Sequence, residues 1–198
     1  MVMKDKTGKI LSRSEGEAVM KGRGAITISI LAALLAIGTL IANGVSSKVL
    51  TNTLKINDTY NFYQAKSIKS SLYEMAVNDI NVQLQDPAVS KAQTEILNKR
   101  LAEYTAKVAS YDSDPKTGEG KQELLTKAHQ LEEARDAAKA KGPYFSFASA
   151  ALQIAIVLSS TAILAVSMEM LWASVAMGLI GALLLSNGIW SWFSLPWL

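Results

Sequence analysis

The side chains that most often do chemistry are scarce in this chain. It has a single histidine, His129, and no cysteine among its 198 residues. Thiol catalysis, disulfides and thiolate metal sites are therefore excluded, and histidine-based triads and zinc sites lack their raw material. His129 stands among Lys127, Glu132 and Glu133, where a glutamate three or four positions on could pair with it. An exposed surface histidine is the expectation. Asp112, Asp114 and Glu119 fall in the stretch Asp112-Ser113-Asp114-Pro115-Lys116-Thr117-Gly118-Glu119-Gly120. They could suggest calcium, but the spacing lacks the terminal bidentate glutamate of a calcium hand, so no metal is expected there.

Two further groups could carry function. Tyr63, Gln64, Lys66, Lys69 and Tyr73 recur at helical spacing and could form a docking patch for a partner or an anion contact by two lysines. The plainer alternative is a solvated face whose tyrosines pack on a neighbouring helix. Gln153, Glu169 and Asn187 are polar groups set in otherwise apolar sequence, where such residues either bridge helices or line an ion path. Nowhere do a base, a nucleophile and an orienting group converge in sequence, so neither enzymatic activity, nor a cofactor, nor a small-molecule substrate is expected.

The elements that must position these residues begin with residues 142–198, whose one charged side chain is Glu169. Two apolar runs back to back, each long enough to cross hydrocarbon, read as a pair of transmembrane helices at 143–167 and 169–194. A third run, residues 25–44, is uncharged and would rise about 30 Å as a helix, which matches the hydrocarbon thickness. A cleaved signal peptide is its rival, with small residues at Ala42-Asn43-Gly44, but a retained span is expected. Small residues at Gly38, Ala42, Ala151, Ala155, Ser159, Gly178 and Gly181, and the pair Ala32 and Ala36, would let helix backbones approach closely. Aromatic residues gather near the start of the second span (Tyr144, Phe145, Phe147) and the end of the third (Trp190, Trp192, Phe193, Trp197), as interface residues do.

Residues 1–24 form a basic tail, with Lys4, Lys6, Lys9, Arg13, Lys21 and Arg23 against Asp5, Glu15 and Glu17. Gly8, Gly16, Gly22 and Gly24 are expected to break any helix there. Such a tail would touch anionic lipid weakly or dock on a partner. The small net charge of +3 is spread through mixed-sign stretches, so no basic stripe points to nucleic acid.

Residues 45–142 carry most of the charge. No proline interrupts them before Pro87 and no glycine before Gly118, so the helix of the first span has no reason to stop at a membrane surface. Leu54, Asn61 or Phe62, Ala65, Ile68, Leu72, Met75 or Ala76, Ile80 and Leu84 keep a spacing of three or four and form the expected packing stripe. Asp86-Pro87 reads as a helix N-cap followed by proline at the first helical position. The returning segments, 88–110 and 120–141, place Val89, Gln93, Leu97, Leu101, Tyr104, Val108 and Tyr111, then Leu124, Ala128, Leu131, Ala134 and Ala138, on heptad-like seams. Together they match the outgoing helix at about 60–67 Å. The expected form is a long helical, coiled-coil-like hairpin between the first and second spans; the alternative pairs the two returning pieces with each other.

Tyr63-Gln64-Ala65-Lys66-Ser67, the later Leu131-Glu132-Glu133-Ala134-Arg135-Asp136, Pro143-Tyr144-Phe145 and Leu152-Gln153-Ile154-Ala155-Ile156-Val157-Leu158 occur in order. In these the chain resembles the bacterial membrane family known as domain-of-unknown-function family 4337. The resemblance covers about Ala25 to Trp190 and implies the architecture just described. Members typically run the returning helix unbroken, so the loop around Asp114-Pro115 departs from the pattern. The family carries no assigned activity, and the resemblance implies no catalytic residue.

These readings converge on an all-α integral membrane protein of three transmembrane helices with a protruding hairpin. The expected role is a structural or accessory subunit, packing on itself or on a larger membrane complex within a lipid bilayer. An oligomeric channel or transporter is the alternative. Basic residues balance across the spans, six in the tail against Lys48, Lys55, Lys127, Arg135, Lys139 and Lys141, so charge does not orient the chain. A bacterial inner membrane, or an internal photosynthetic or respiratory one, with a cytoplasmic N-terminus is the expectation.

Overall fold

The computed structural model describes residues 13–193. Among the described residues there are five helices and no strand: α1 (Arg13–Leu84), α2 (Lys91–Asp112), α3 (Lys121–Lys139), α4 (Gly142–Ala165) and α5 (Met168–Trp190). Three stretches of this helical chain are long and apolar enough to cross a membrane. α1 is a single helix of 72 residues that passes without a break through Ala42-Asn43-Gly44. The expectation of a helix-free tail over 1–24 is corrected from Arg13 onward, because Gly16, Gly22 and Gly24 lie inside α1. Each glycine costs a helix about 1 kcal/mol, and packing offsets it around Gly24. Gly24 is buried where a β-carbon would collide with Ile163, and Met20 is fully buried against Ala162 and Leu171. Lys4, Asp5, Lys6, Gly8, Lys9 and Trp197 lie outside the described residues.

The helices divide into two compact units, Met1–Val49 with Ala137–Leu198, and Leu50–Asp136. In the first, the early part of α1 packs on α4 and α5 through three apolar clusters. Met20 meets Ala162 and Leu171; Leu31 meets Leu152 and Ala155; Ile41, Ala42 and Val45 meet Phe145, Ala148 and Leu185. Residue numbers rise along α1 as they fall along α4, so the two are antiparallel. α4 and α5 are joined by a tight turn in which Val166 adopts the left-handed conformation, φ 50°, while its side chain joins the Met20 cluster. Ser167 then caps α5, its hydroxyl accepting from the Met170 amide at 3.4 Å.

In the second unit the buried face of α1 is a regular alternation of four and three: Asn52, Ile56, Thr59, Tyr63, Lys66, Ser70, Tyr73, Val77, Ile80 and Leu84 are all buried or half-buried. Its contacts with the later segments run in reverse sequence order. Tyr73 meets Tyr104 and Tyr111, Lys66 meets Glu119, and Tyr60 meets Glu132. Of the expected packing stripe, Ile80 is buried and Ala76 and Leu84 are half-buried, whereas Leu54, Phe62, Ile68, Leu72 and Met75 are exposed. The aromatic rings and paired polar groups fill the inner seam instead.

The turn after α1 also differs from expectation. α2 is capped by Ser90, whose hydroxyl accepts from the Gln93 amide while the Gln93 side chain accepts from the Ser90 amide. This reciprocal box satisfies two otherwise orphaned donors. Asp86 closes the preceding turn, accepting from the Ala88 amide at 2.9 Å.

Candidate functional site

The loop between α2 and α3 uses its acids internally. Glu123, in the first turn of α3, accepts from the Ser113 hydroxyl at 2.6 Å and the Asp114 amide at 3.1 Å. The Ser113 hydroxyl holds the Glu123 carboxyl below the usual carboxylate range. Asp114 is held low as well, first by its hydrogen bonds with the Thr117 side chain and backbone. Asp112 pairs with Lys121 at 3.2 Å. Gly118 turns the chain at φ 68°, a conformation glycine takes without steric cost. His129 is exposed and lies 3.2 Å from Glu132. No cluster of three metal-ligating side chains occurs among the described residues.

The five docking candidates do not form one patch. Lys66 is half-buried, pairs with Glu119 at 3.4 Å and lies over the rings of Phe62 and Tyr111 at 5.2 and 5.5 Å. Tyr73 is half-buried, edge-on to Tyr104 at 5.2 Å, with the Lys107 ammonium 5.6 Å from its ring. Tyr63 is half-buried too; only Gln64 and Lys69 are exposed. Lys69 borders a groove of about 390 Å³ with Leu72, Tyr73, Ala76, Tyr104 and Tyr111. Tyr60 donates to Glu132 at 3.2 Å, and its partial burial with that hydrogen bond raises the phenol above its ordinary pKa.

The small-residue candidates are brought together at the helix contacts of the first unit. A β-carbon on Gly38 would stand 3.1 Å from Leu185, one on Gly181 2.8 Å from Leu152, and one on Gly178 would strike Leu31. Ala151, Ala155 and Ser159 are buried, and Ala42 is half-buried against the Phe145 cluster. The Ser159 hydroxyl donates to the Gly24 carbonyl at 3.4 Å and Ser174 to the Ala155 carbonyl at 2.6 Å, tying α4 to α1 and α5 to α4. Ala32 and Ala36 face outward.

The three polar candidates of the apolar helices remain apart. Gln153 is exposed on α4, and Glu169 is exposed in the first turn of α5, where a carboxylate suits the helix N-terminus. Asn187 is buried, and its side-chain amide donates to the Phe193 carbonyl at 2.9 Å and accepts from the Phe193 amide at 3.0 Å. Of the aromatic groups, Phe145 is buried beside Gly188, while Phe147, Trp190, Trp192 and Phe193 are exposed. Sequence reasoning missed Met20 and Gly24 because both sit in a stretch read as a tail. It also missed the inward role of Asn52, Thr59 and Ser70, because polar side chains at helical spacing read as a solvated face and the aliphatic stripe keeps the same spacing.

Fold and site together define an all-helical protein with three helices long and apolar enough to span a membrane. The chain belongs to the family described as domain of unknown function (DUF4337), whose model matches residues 20–191. No curated protein and no solved structure matches it.

Proposed function

We propose that this protein is an integral membrane subunit of structural or accessory type. Its three apolar helices cross the bilayer, and residues 45–142 form a helical hairpin outside it. The observation that carries this reading is the fate of the buried polar groups in the first unit. Ser159, Ser174 and Asn187 each bond a backbone group of their own chain, and no buried side-chain polar atom among the described residues lacks a partner. A substrate path needs polar groups left available to the cargo; Ser159 and Ser174 are spent on tying helices to one another and Asn187 on closing the end of α5. Charge balance leaves the orientation open, and the short basic N-terminal segment, awkward to export, is assigned to the cytoplasmic side of a bacterial inner membrane.

Purification from the native membrane in mild detergent, followed by mass determination and identification of co-migrating chains, tests the proposal. Other polypeptides in fixed ratio, or a defined self-assembly without conductance, are expected. A second reading, an oligomeric channel, is favoured by one observation: Gln153 is exposed on α4, so a ring of copies could line a path with it. Glu169→Gln or Gln153→Ala should leave a scaffold's assembly unchanged, whereas a loss of ion flux or of its pH response would replace the scaffold with the channel.

A further inference from the structure

We infer that the first unit, at the end where α4 begins and α5 finishes, binds the headgroups of anionic phospholipids. Binding of this kind deepens the proposed function and rests on its membrane reading. Val45, Phe145 and Leu185 meet in the last apolar cluster before this end. About one turn beyond it lie Lys48 on α1, Lys141 at the N-cap of α4 and Trp190 at the close of α5, with Lys139 just before Lys141. Lys48 and Lys139 are exposed. Lys141 is half-buried, and its ammonium donates to the Ile189 carbonyl at 3.3 Å. That bond fixes the charge at the end of α5, and the remaining donors of the ammonium stay open to an anion. The clasp of Asn187 on Phe193 holds the chain just past α5. The rings of Trp190 and Trp192 stand 5.8 Å apart, 63% and 69% exposed.

Charge selects the occupant. Among the described residues the acids of this unit are Glu15, Glu17 and Glu169, all toward the opposite end, where Lys21 and Arg23 accompany them. The end with Lys48, Lys139 and Lys141 is therefore positive without compensation, while the other is mixed. The nearest acids in sequence do not cancel it: Asp136 pairs with Arg135 at 2.9 Å, and Asp58 lies about 15 Å further along α1 than Lys48. Exposed tryptophan rings settle at the level of lipid headgroups, where their apolar bodies meet acyl chains. Each lysine close to such a surface attracts anionic lipid. A phospholipid with a net negative headgroup satisfies both demands in one molecule; a neutral one leaves the ammonium groups without a counter-charge, and a soluble anion leaves the rings uncovered.

The tryptophans themselves report on the lipid beside them. The full chain is placed in vesicles of phosphatidylcholine and phosphatidylglycerol, with quenching bromines on the acyl chains of one lipid at a time. Trp172→Phe with Trp197→Phe leaves Trp190 and Trp192 as reporters; Trp190→Phe, Trp192→Phe and Trp197→Phe together leave Trp172, near Glu169 at the opposite end. Brominated phosphatidylglycerol should quench the first reporter about threefold more per mole than brominated phosphatidylcholine, and Trp172 no more than it. Lys48→Gln with Lys139→Gln, at exposed positions that the fold tolerates, should lower the preference, whereas arginine at both should keep it. Equal quenching by the two lipids at Trp190 and Trp192, the same preference at Trp172, or a preference untouched by the glutamine pair would overturn the site. So would its loss to millimolar glycerol phosphate, which would make the ligand a soluble anion. Equal quenching leaves the membrane reading standing; no quenching of either reporter by either lipid removes both.

Discussion

The glycines of the apolar helices illustrate how single residues decide packing. Gly178 lies against Leu31 and Gly181 against Leu152, and neither site has room for a side chain. Gly178→Leu should therefore push α1 away and destabilise the three-helix unit by about 1–3 kcal/mol, read as a lowered thermal transition in detergent. Gly22, where an added β-carbon would meet nothing within 4 Å, is the control: Gly22→Ala should be neutral or stabilise slightly, by up to about 1 kcal/mol, through helix propensity. The Glu123 carboxyl carries a pH dependence. Its folded pKa is depressed, so its contribution is full above the unfolded value of about 4 and is lost as pH falls through the folded value. Hydrogen exchange across residues 113–120 should accelerate below about pH 4 in the native chain, and Glu123→Gln should show the faster exchange already at neutral pH. The small residues were legible because close approach demands them at fixed spacing. The roles of Gly24 and Met20 were not, since composition around them reads as a polar tail and only the position of Ile163, Ala162 and Leu171 makes them interior.

Helix ends and faces show where local rules compete. Asp86-Pro87 and Ser90 with Gln93 are both valid start signals, and the reciprocal pair prevails because it satisfies two donors at once. Ser90→Ala should cost about 1 kcal/mol and expose the first turn of α2 to exchange, whereas Asp86→Ala should leave that turn protected and loosen only residues 85–89. If Asp86→Ala opened α2 instead, the cap assignment would fall. α1 holds the larger lesson. Its sequence contains two heptad alternations on nearly opposite faces, one aliphatic and one mixed with tyrosine, lysine and hydroxyl groups. Hydrophobicity alone favours the aliphatic one as the packing face. The structure turns the other inward, because Tyr73, Tyr104 and Tyr111 form a ring cluster and Lys66 finds both Glu119 and two aromatic faces there.

At the scale of the whole molecule, the distribution of charge organises the chain into apolar helices and a charged intervening segment. If the apolar helices are embedded, alkaline extraction should leave the chain in the membrane, and Leu31→Asp, which sets a carboxylate among Leu152 and Ala155, should prevent stable accumulation. Normal accumulation of Leu31→Asp would count against that packing. The sequence by itself determined the helical class, the three apolar stretches, the break after Leu84 and the loop before α3, because each follows from local composition, periodicity and the backbone preferences of proline and glycine. Only the tertiary structure decided which face of α1 is interior and that the segment from Arg13 continues as helix. Those outcomes depend on which side chains meet across distant parts of the chain, and pairwise packing of that kind leaves no trace in local pattern.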